Sequence, residues 1–309
     1  MKLVTTTGEL RGRKLIESND IAAPIPLFVG TGFKHLDLSF YNIIYKDSPW
    51  ILPGDAWKKE VEECQIAAEK YGFDFCQAHS PDGEHFAEGE KRDALLLATK
   101  RSIEACSMLG IPHTVIHAGS IKENPAKFYS SNIAFFKNFE ETAETYGVDM
   151  LVENNSEKWA LGYLLRSGQE MAEFVEMAGI PRLHICWDTG HANVERRDQY
   201  HDILAMGKEL RALHIQDNFG DADSHLTPMI GCINFDRVIQ GLLEIGYQGD
   251  FTFEADSTIR TTGRWPHYRR NVEPDDRLGF PPLHIHQMME KIKWEIGKWM
   301  LESYNIPVE

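Results

Sequence analysis

The chain is poor in positive charge. Its 32 lysines and arginines face 47 aspartates and glutamates, a formal net charge of −15. Phosphate backbones need a basic surface, so the balance weighs against a general nucleic-acid role, although a local basic patch stays open. Long apolar runs are also missing: no stretch approaches the roughly 20 residues of a membrane helix, and no membrane role is expected. Residues 1–14 carry no apolar run of the secretory type. Cysteine is scarce, with Cys64, Cys76, Cys106, Cys186 and Cys232 scattered, odd in number and without a C-x-x-C pair. A reducing cytoplasm is the expected setting. Linkers, low-complexity tracts and strong repeats are absent too. What remains is 309 residues, 42% hydrophobic and 26% charged, enough for one large α/β barrel or two ordinary domains.

Short apolar segments alternate with helical patterns. Strands are expected at 2–5, 35–38, 73–78, 113–117, 149–153, 184–188, 212–216 and 251–254. Helices are expected at 55–71, where Trp57, Val61, Cys64, Ala67 and Ala68 share a face, and at 91–109, 125–146 and 235–245, with shorter ones at 168–177 and 200–206. Eight strands alternating with helices over about 250 residues predict a (β/α)₈ barrel, here one domain over 1–309. Two stretches exceed a minimal barrel. Residues 39–54 hold Tyr41, Tyr45 and Trp50, and 257–283 hold Arg260, Arg264, Arg269 and Arg270 beside Trp265, Tyr268 and Phe280. Both follow strands, so both belong on the face where such loops build sites. A last helix is expected at 284–304, packed on the barrel wall.

Four of the expected strands end on, or run into, a residue of metal-ligand type. Glu153 closes Met150-Leu151-Val152, Asp188 closes Ile185-Cys186-Trp187, His214 follows Ala212-Leu213, and Glu254 follows Phe251-Thr252-Phe253. In a closed parallel barrel these ends share one face and can converge. Any one of them alone reads as a helix cap or ion-pair partner. Together they suit a divalent cation such as Mn²⁺, Co²⁺, Mg²⁺ or Zn²⁺, which removes the mutual repulsion of three buried carboxylates. His79, His117, His191, Asp223 and His225 fall at comparable positions. They are candidates for extra ligands, substrate donors or acid–base groups.

Several segments carry a family pattern: Val115-Ile116-His117-Ala118-Gly119, Val152-Glu153-Asn154, Trp187-Asp188-Thr189-Gly190-His191-Ala192, and the run from His214 through Gln216-Asp217-Asn218 to Asp223-Ser224-His225-Leu226 and Gly231. By these the chain resembles the xylose isomerase-like barrel superfamily, which includes sugar-phosphate isomerases and epimerases, ketose 3-epimerases and endonuclease IV-type enzymes. The resemblance runs from the first strand to Glu254. It implies one divalent metal, manganese first, on Glu153, Asp188, His214 and Glu254. It implies proton exchange next to a sugar carbonyl through a metal-stabilised enediolate, with Glu153 and Glu254 as the acid–base pair. His191 and His117 would assist catalysis, and His79, His117, His191 and His225 would contact substrate.

Two departures separate the chain from a plain ketose 3-epimerase. That group carries a second Glu six positions after the first metal Glu, where this chain has Trp159, with Glu157 nearby. It also carries an Arg six positions after the metal His, where this chain has Gly220. The expected activity is therefore isomerisation or epimerisation of a keto-sugar or sugar derivative of another kind. A first alternative is the large catalytic subunit of a two-subunit enzyme cleaving 3-oxo-C-glycosides, in which elimination replaces reprotonation. The aromatic loop or the 257–283 stretch would then hold an aglycone or a small partner subunit. A second is an endonuclease IV-type enzyme: His79, His117, Glu153, Asp188, His191, His214, Asp223, His225 and Glu254 match all nine positions that hold its three zinc ions. The charge and the Asp-Asn…Asp-x-His-Leu-x-Pro form of the seventh loop favour the sugar branch. A non-catalytic sugar-binding protein is the third. A homo-oligomer is the default assembly.

Overall fold

The computed structural model describes residues 1–11, 15–16, 19–158, 160–255, 258–259 and 276–309. Eight strands form its centre: β1 (Leu3–Thr6), β2 (His35–Ser39), β3 (Asp74–His79), β4 (His113–Ile116), β5 (Asp149–Glu153), β6 (Leu183–Asp188), β7 (Leu210–His214) and β8 (Phe251–Phe253). Each pairs in parallel with its sequence neighbour, and β1 also pairs with β8. A parallel bridge between Ile215 and Phe253 joins β7 to β8. There the Ile215 N–H donates to Thr252 O at 2.7 Å, and the Glu254 N–H donates to Ile215 O at 3.1 Å. The sheet closes into the expected barrel. Closure requires both faces of every strand to be buried, so the strands read as apolar runs rather than alternations.

Inside the barrel, Val115, Leu151, Cys186 and Ala212 form a small apolar group of their own. Outside it lie the helices α1 (Trp57–Tyr71), α2 (Glu90–Met108), α3 (Phe128–Lys137), α4 (Glu140–Tyr146), α5 (Gly168–Ala178), α6 (Thr189–Val194), α7 (Gln199–Met206), α8 (Phe235–Glu244) and α9 (Leu283–Glu302). Helical spacing explains their docking. In α1 the buried residues are Trp57, Val61, Cys64 and Ala68, and the helix stops at Gly72 with φ of 75°. Among the described residues no helix is long and apolar enough to cross a membrane.

Three expectations need correction. Residues 125–146 are not one helix but a 3₁₀ turn (Pro125–Lys127) followed by α3 and α4. The Asn138 amide donates to the carbonyls of Ala134 and Phe135 at 2.8 and 2.9 Å, so the side chain competes for the acceptors at the break between α3 and α4. Helix α6, directly after Asp188, was not expected. In the 39–54 loop, Trp50 is core rather than site: it is fully buried, 5.1 Å from the Trp57 ring, and donates to Glu60 at 2.6 Å. Of the 257–283 stretch, Arg260, Arg264, Trp265, Tyr268, Arg269 and Arg270 lie outside the described residues.

Helix α9 is fastened to the barrel by charge as well as apolar contact. Lys293, 1% exposed, lies 2.7 Å from Glu9 and 3.1 Å from Glu290, and Glu290 also accepts from Thr5 of β1 at 3.0 Å. Glu9 in turn accepts from the Ala255 N–H at 2.8 Å, one residue past Glu254. Removing the cation leaves two buried carboxylates facing each other. Lys293→Met is therefore expected to lower the unfolding free energy by about 3–5 kcal/mol, read from urea denaturation. A loss below about 1 kcal/mol, as for a surface pair, would contradict this anchoring.

Candidate functional site

The strand ends meet as the barrel requires. Glu153, Asp188 and His214 are the last residues of β5, β6 and β7, each at most 2% exposed, and Glu254 directly follows β8. His214 Nδ1 lies 2.7 Å from Glu153 Oε1 and 3.3 Å from Glu254 Oε2. Its other nitrogen is 2.9 Å from the Gln77 amide, which fixes the ring so that Nδ1 faces the two glutamates. Asp188 reaches this centre less directly. Its Oδ1 caps α6 by accepting from the His191 N–H at 2.6 Å, and its Oδ2 accepts from the Gln216 amide at 3.4 Å. Asn154 locks β5 to β6: its side-chain amide donates to Asp188 O at 3.0 Å and accepts from the Asp188 N–H at 2.6 Å.

The remaining histidines surround this floor. His117 Nε2 lies 2.9 Å from Glu153 Oε2, and His79 Nε2 lies 3.8 Å from the same oxygen and 3.1 Å from His117 Nε2. Across the cavity, Asp223 Oδ2 sits 3.3 Å from His191 Nε2 and 3.0 Å from His225 Nε2. Three of the four outer rings are oriented through Nδ1, donated by His79 to Ser80 O, by His191 to Asn154 O and by His225 to Glu254 O. Gln216 ties the two halves together, donating to Asp223 at 2.6 Å as well as to Asp188. His79, His117 and Glu153 form one group with mutually close ligand atoms, His79, His214 and Glu254 a second, and His191, Asp223 and His225 a third.

The electrostatics suit a cation. Burial acts to raise the Glu153 carboxyl, but His214, His117 and His79 outweigh it and hold the group well below the usual carboxylate range. Burial acts to lower His214, yet Cys186, Glu153 and Glu254 carry it well above the usual imidazole value. Burial, with Glu153 and Asp223 close by, pushes Asp188 up to about 6 against the pull of His191. His191 follows the logic of His214: burial is outweighed by Asp188 and Asp223, bringing the ring up to about 10. Ring protons thus occupy positions of positive charge between carboxylates, where a divalent ion would displace them. Oxygen and nitrogen donors already oriented by partners behind them are what such an ion takes. The donor set fits the group that the sequence implies.

A contrasting cluster lies at the other end of the strands. His35 and Asp74 begin β2 and β3, and Asp74 and Cys76 are each 3.5 Å from Lys2 Nζ. An ammonium group already supplies the positive charge there.

Sequence reasoning missed several residues that shape the site. Asp82, beyond β3, lies 3.8 Å from His117 Nδ1 and accepts from the Tyr41 hydroxyl at 3.3 Å. Burial acts to raise Asp82, but His117 and His85 hold it well below its ordinary value. Tyr163, fully enclosed, donates to Glu153 O at 2.6 Å. Arg11, 5% exposed, donates to Ser39 O and Oγ at 2.6 and 2.7 Å, while its Nε and Nη1 have no hydrogen-bond partner among the described residues. None of these follows from spacing, because each acts across a loop. Glu157 does not replace the glutamate missing at Trp159: it pairs with Arg166 at 2.6 Å, and Trp159 lies outside the described residues.

Gly190 supplies a test of this network. A Cβ there would collide with the Gln216 amide, which holds both Asp188 and Asp223. Gly190→Ala is expected to weaken Mn²⁺ or Zn²⁺ binding by about 10–100-fold, as for other losses of support behind a ligand, measured by metal titration. Unchanged affinity would mean that Gln216 does not set the site.

The pattern of a xylose isomerase-like TIM barrel matches residues 34–272. Curated relatives include the uncharacterised protein y4fM of Sinorhizobium fredii, 24% identical over 181 residues, 55% of this chain and 56% of that protein. A ketose 3-epimerase of Arthrobacter globiformis is 32% identical over 96 residues, 31% of each chain. A probable endonuclease 4 of Citrifermentans bemidjiense is 29% identical over 147 residues, 43% of this chain and 50% of that one. The chain thus spans about half or less of the length of these relatives. Among solved structures, a D-psicose 3-epimerase superposes with a TM-score of 0.74 at 16% identity, covering 97% of this chain and 99% of that one. With the matched pattern covering most of its length, the chain belongs to the xylose isomerase-like TIM-barrel family.

Proposed function

We propose that this protein is a divalent-metal-dependent isomerase or epimerase that moves a proton at the carbon next to the carbonyl of a keto-sugar or sugar derivative. The observation that carries the reading is the pair Glu153 and Glu254. They come from strands three apart around the barrel, yet both approach one nitrogen of His214 and both line the same cavity of about 430 Å³. One carboxylate can take a proton from one side of a bound sugar while the other returns it from another side. Glu153, Asp188, His214 and Glu254 would hold the cation, which when bound supplies positive charge opposite the oxygens where negative charge develops. His191 and His117, whose Nε2 atoms lie against Asp223 and Glu153 at 3.3 and 2.9 Å, would contact substrate oxygens. His79 and His225 complete the wall. Manganese heads the candidate ions, with cobalt, magnesium and zinc behind it, because three of the four donors are carboxylates, which suit it, and one is an imidazole. The related ketose 3-epimerase supports the reaction class. A reducing, cytoplasmic setting goes with this reading, on the strength of five scattered cysteines without a C-x-x-C pair. Loss of a leaving group after the same proton abstraction would make the enzyme a lyase on 3-oxo-glycosides.

A second reading has one specific observation behind it: His79, His117 and Glu153, and separately His191, Asp223 and His225, form ligand groups flanking the central one. That arrangement suits three zinc ions and a phosphodiester-cleaving enzyme like the endonuclease relative. The net charge of −15 opposes a polyanionic substrate.

The test is proton exchange. Metal-loaded protein incubated with keto-sugars in D₂O is expected to place deuterium beside the carbonyl, followed by NMR. Glu254→Gln should slow this by about 10²-fold or more, the scale of lost acid–base catalysis. Exchange that survives unchanged in both Glu153→Gln and Glu254→Gln would sink the mechanism. Prior removal of metal by chelation should abolish exchange, and Mn²⁺ should restore it.

A further inference from the structure

The reactive cavity does not end at the histidines. Tyr41, Asn42 and Asp82 form a wall that it shares with a second cavity of about 350 Å³, completed by Asn19, Ile44, Tyr45 and Gly83. We propose that this second compartment is a subsite for a second ring, so that the substrate is a glycoside: a keto-sugar joined through a glycosidic oxygen to a further ring. The proposal rests on the keto-sugar reading above for the chemistry of the first ring only.

Three features carry it. The first is size: either cavity alone lies near the lower end of the ~300–1,000 Å³ range of ligand pockets, and only the pair gives room well within it. The second is chemistry. Tyr41 and Tyr45 offer phenol faces beside Ile44, while Asn19, Asn42 and Asp82 offer amide and carboxylate groups. A pyranose has apolar C–H faces and a rim of hydroxyls, so this mixture matches a neutral ring. Among the described residues its polar lining is amide, phenol and carboxylate, with no lysine or arginine.

The third is rigidity. The loop carrying Tyr41 and Tyr45 is pinned at its far end by buried Trp50. Arg101 of α2 clamps it too, donating to the carbonyls of Pro49, Leu52 and Gly54 at 2.8–3.0 Å. Tyr41 itself stands edge-on to His79 at 5.6 Å and is tied to Asp82 at 3.3 Å. It is a fixed wall common to both cavities, and a subsite built in advance avoids the ordering cost of binding.

The experiment compares ligands of one and two rings on metal-loaded protein by calorimetry: methyl glucosides of both anomers against maltose, cellobiose and phenyl β-D-glucoside. At least one two-ring ligand should bind about tenfold tighter than its methyl counterpart, roughly 1.4 kcal/mol. Tyr45→Ala should remove that gain and Tyr45→Phe retain it. Neither variant should alter the melting temperature, the affinity for the methyl glucosides or deuterium exchange into a free keto-sugar. Equal affinity for one-ring and two-ring ligands, or a gain that survives Tyr45→Ala, overturns the subsite. Exchange with free keto-sugars but no two-ring gain would remove the subsite and leave the proposed reaction standing. A two-ring gain without any exchange would do the reverse.

Discussion

A carboxylate buried at the end of β5 governs the arrangement of this molecule. Glu153 is 2% exposed, and its two oxygens face His214 and His117 at 2.7 and 2.9 Å. Such a group cannot sit unpaired in a barrel, where isolated charge costs several kcal/mol. Its partners must therefore be brought in from other strands, and those partners need orienting groups of their own. Gln77 orients His214, Asp82 lies behind His117, and Asn154 fixes the backbone of Asp188. The site is a consequence of that requirement spreading outward, shell by shell.

Barrel closure makes the convergence possible. Parallel strands place all their C-terminal ends on one face, and the bridge between Ile215 and Phe253 brings β8, and with it Glu254, beside β7 and His214. Helix α9 supports this seam from outside, because Glu9 links Lys293 to the backbone at Ala255. Loops contribute differently. Trp50 and Arg101 hold the β2 loop in place, so that Tyr41 and Tyr45 shape the cavity without belonging to any strand.

The sequence made some of this legible and hid the rest, for physical reasons. Apolar runs ending in Glu153, Asp188 and His214 were readable because a strand buried on both faces has a distinctive composition and a polar end. Asp149–Glu153 was expected to the residue. Helix α6 escaped because six residues of Thr-Gly-His-Ala-Asn-Val carry no periodicity; only the cap supplied by Asp188 marks it, and the convergence of four ligand-type residues outweighed the cap reading of that residue. The break in 125–146 was hidden because Asn138 acts through its side chain. Trp50 was grouped with the loop of the site-building face because nothing in a loop sequence says which aromatic turns inward. Asp82 and Arg11 contribute through contacts across loops, which spacing does not encode.

The most direct test of the account is the metal content of each chain, by elemental mass spectrometry on protein purified without chelator or added metal. About one divalent ion per chain in the native protein, lost in Glu153→Gln, is the predicted result. A native protein free of metal that also fails to bind Mn²⁺, Co²⁺ or Zn²⁺ would contradict it. Close to three zinc ions per chain would contradict the single-ion sugar chemistry and favour the nuclease reading.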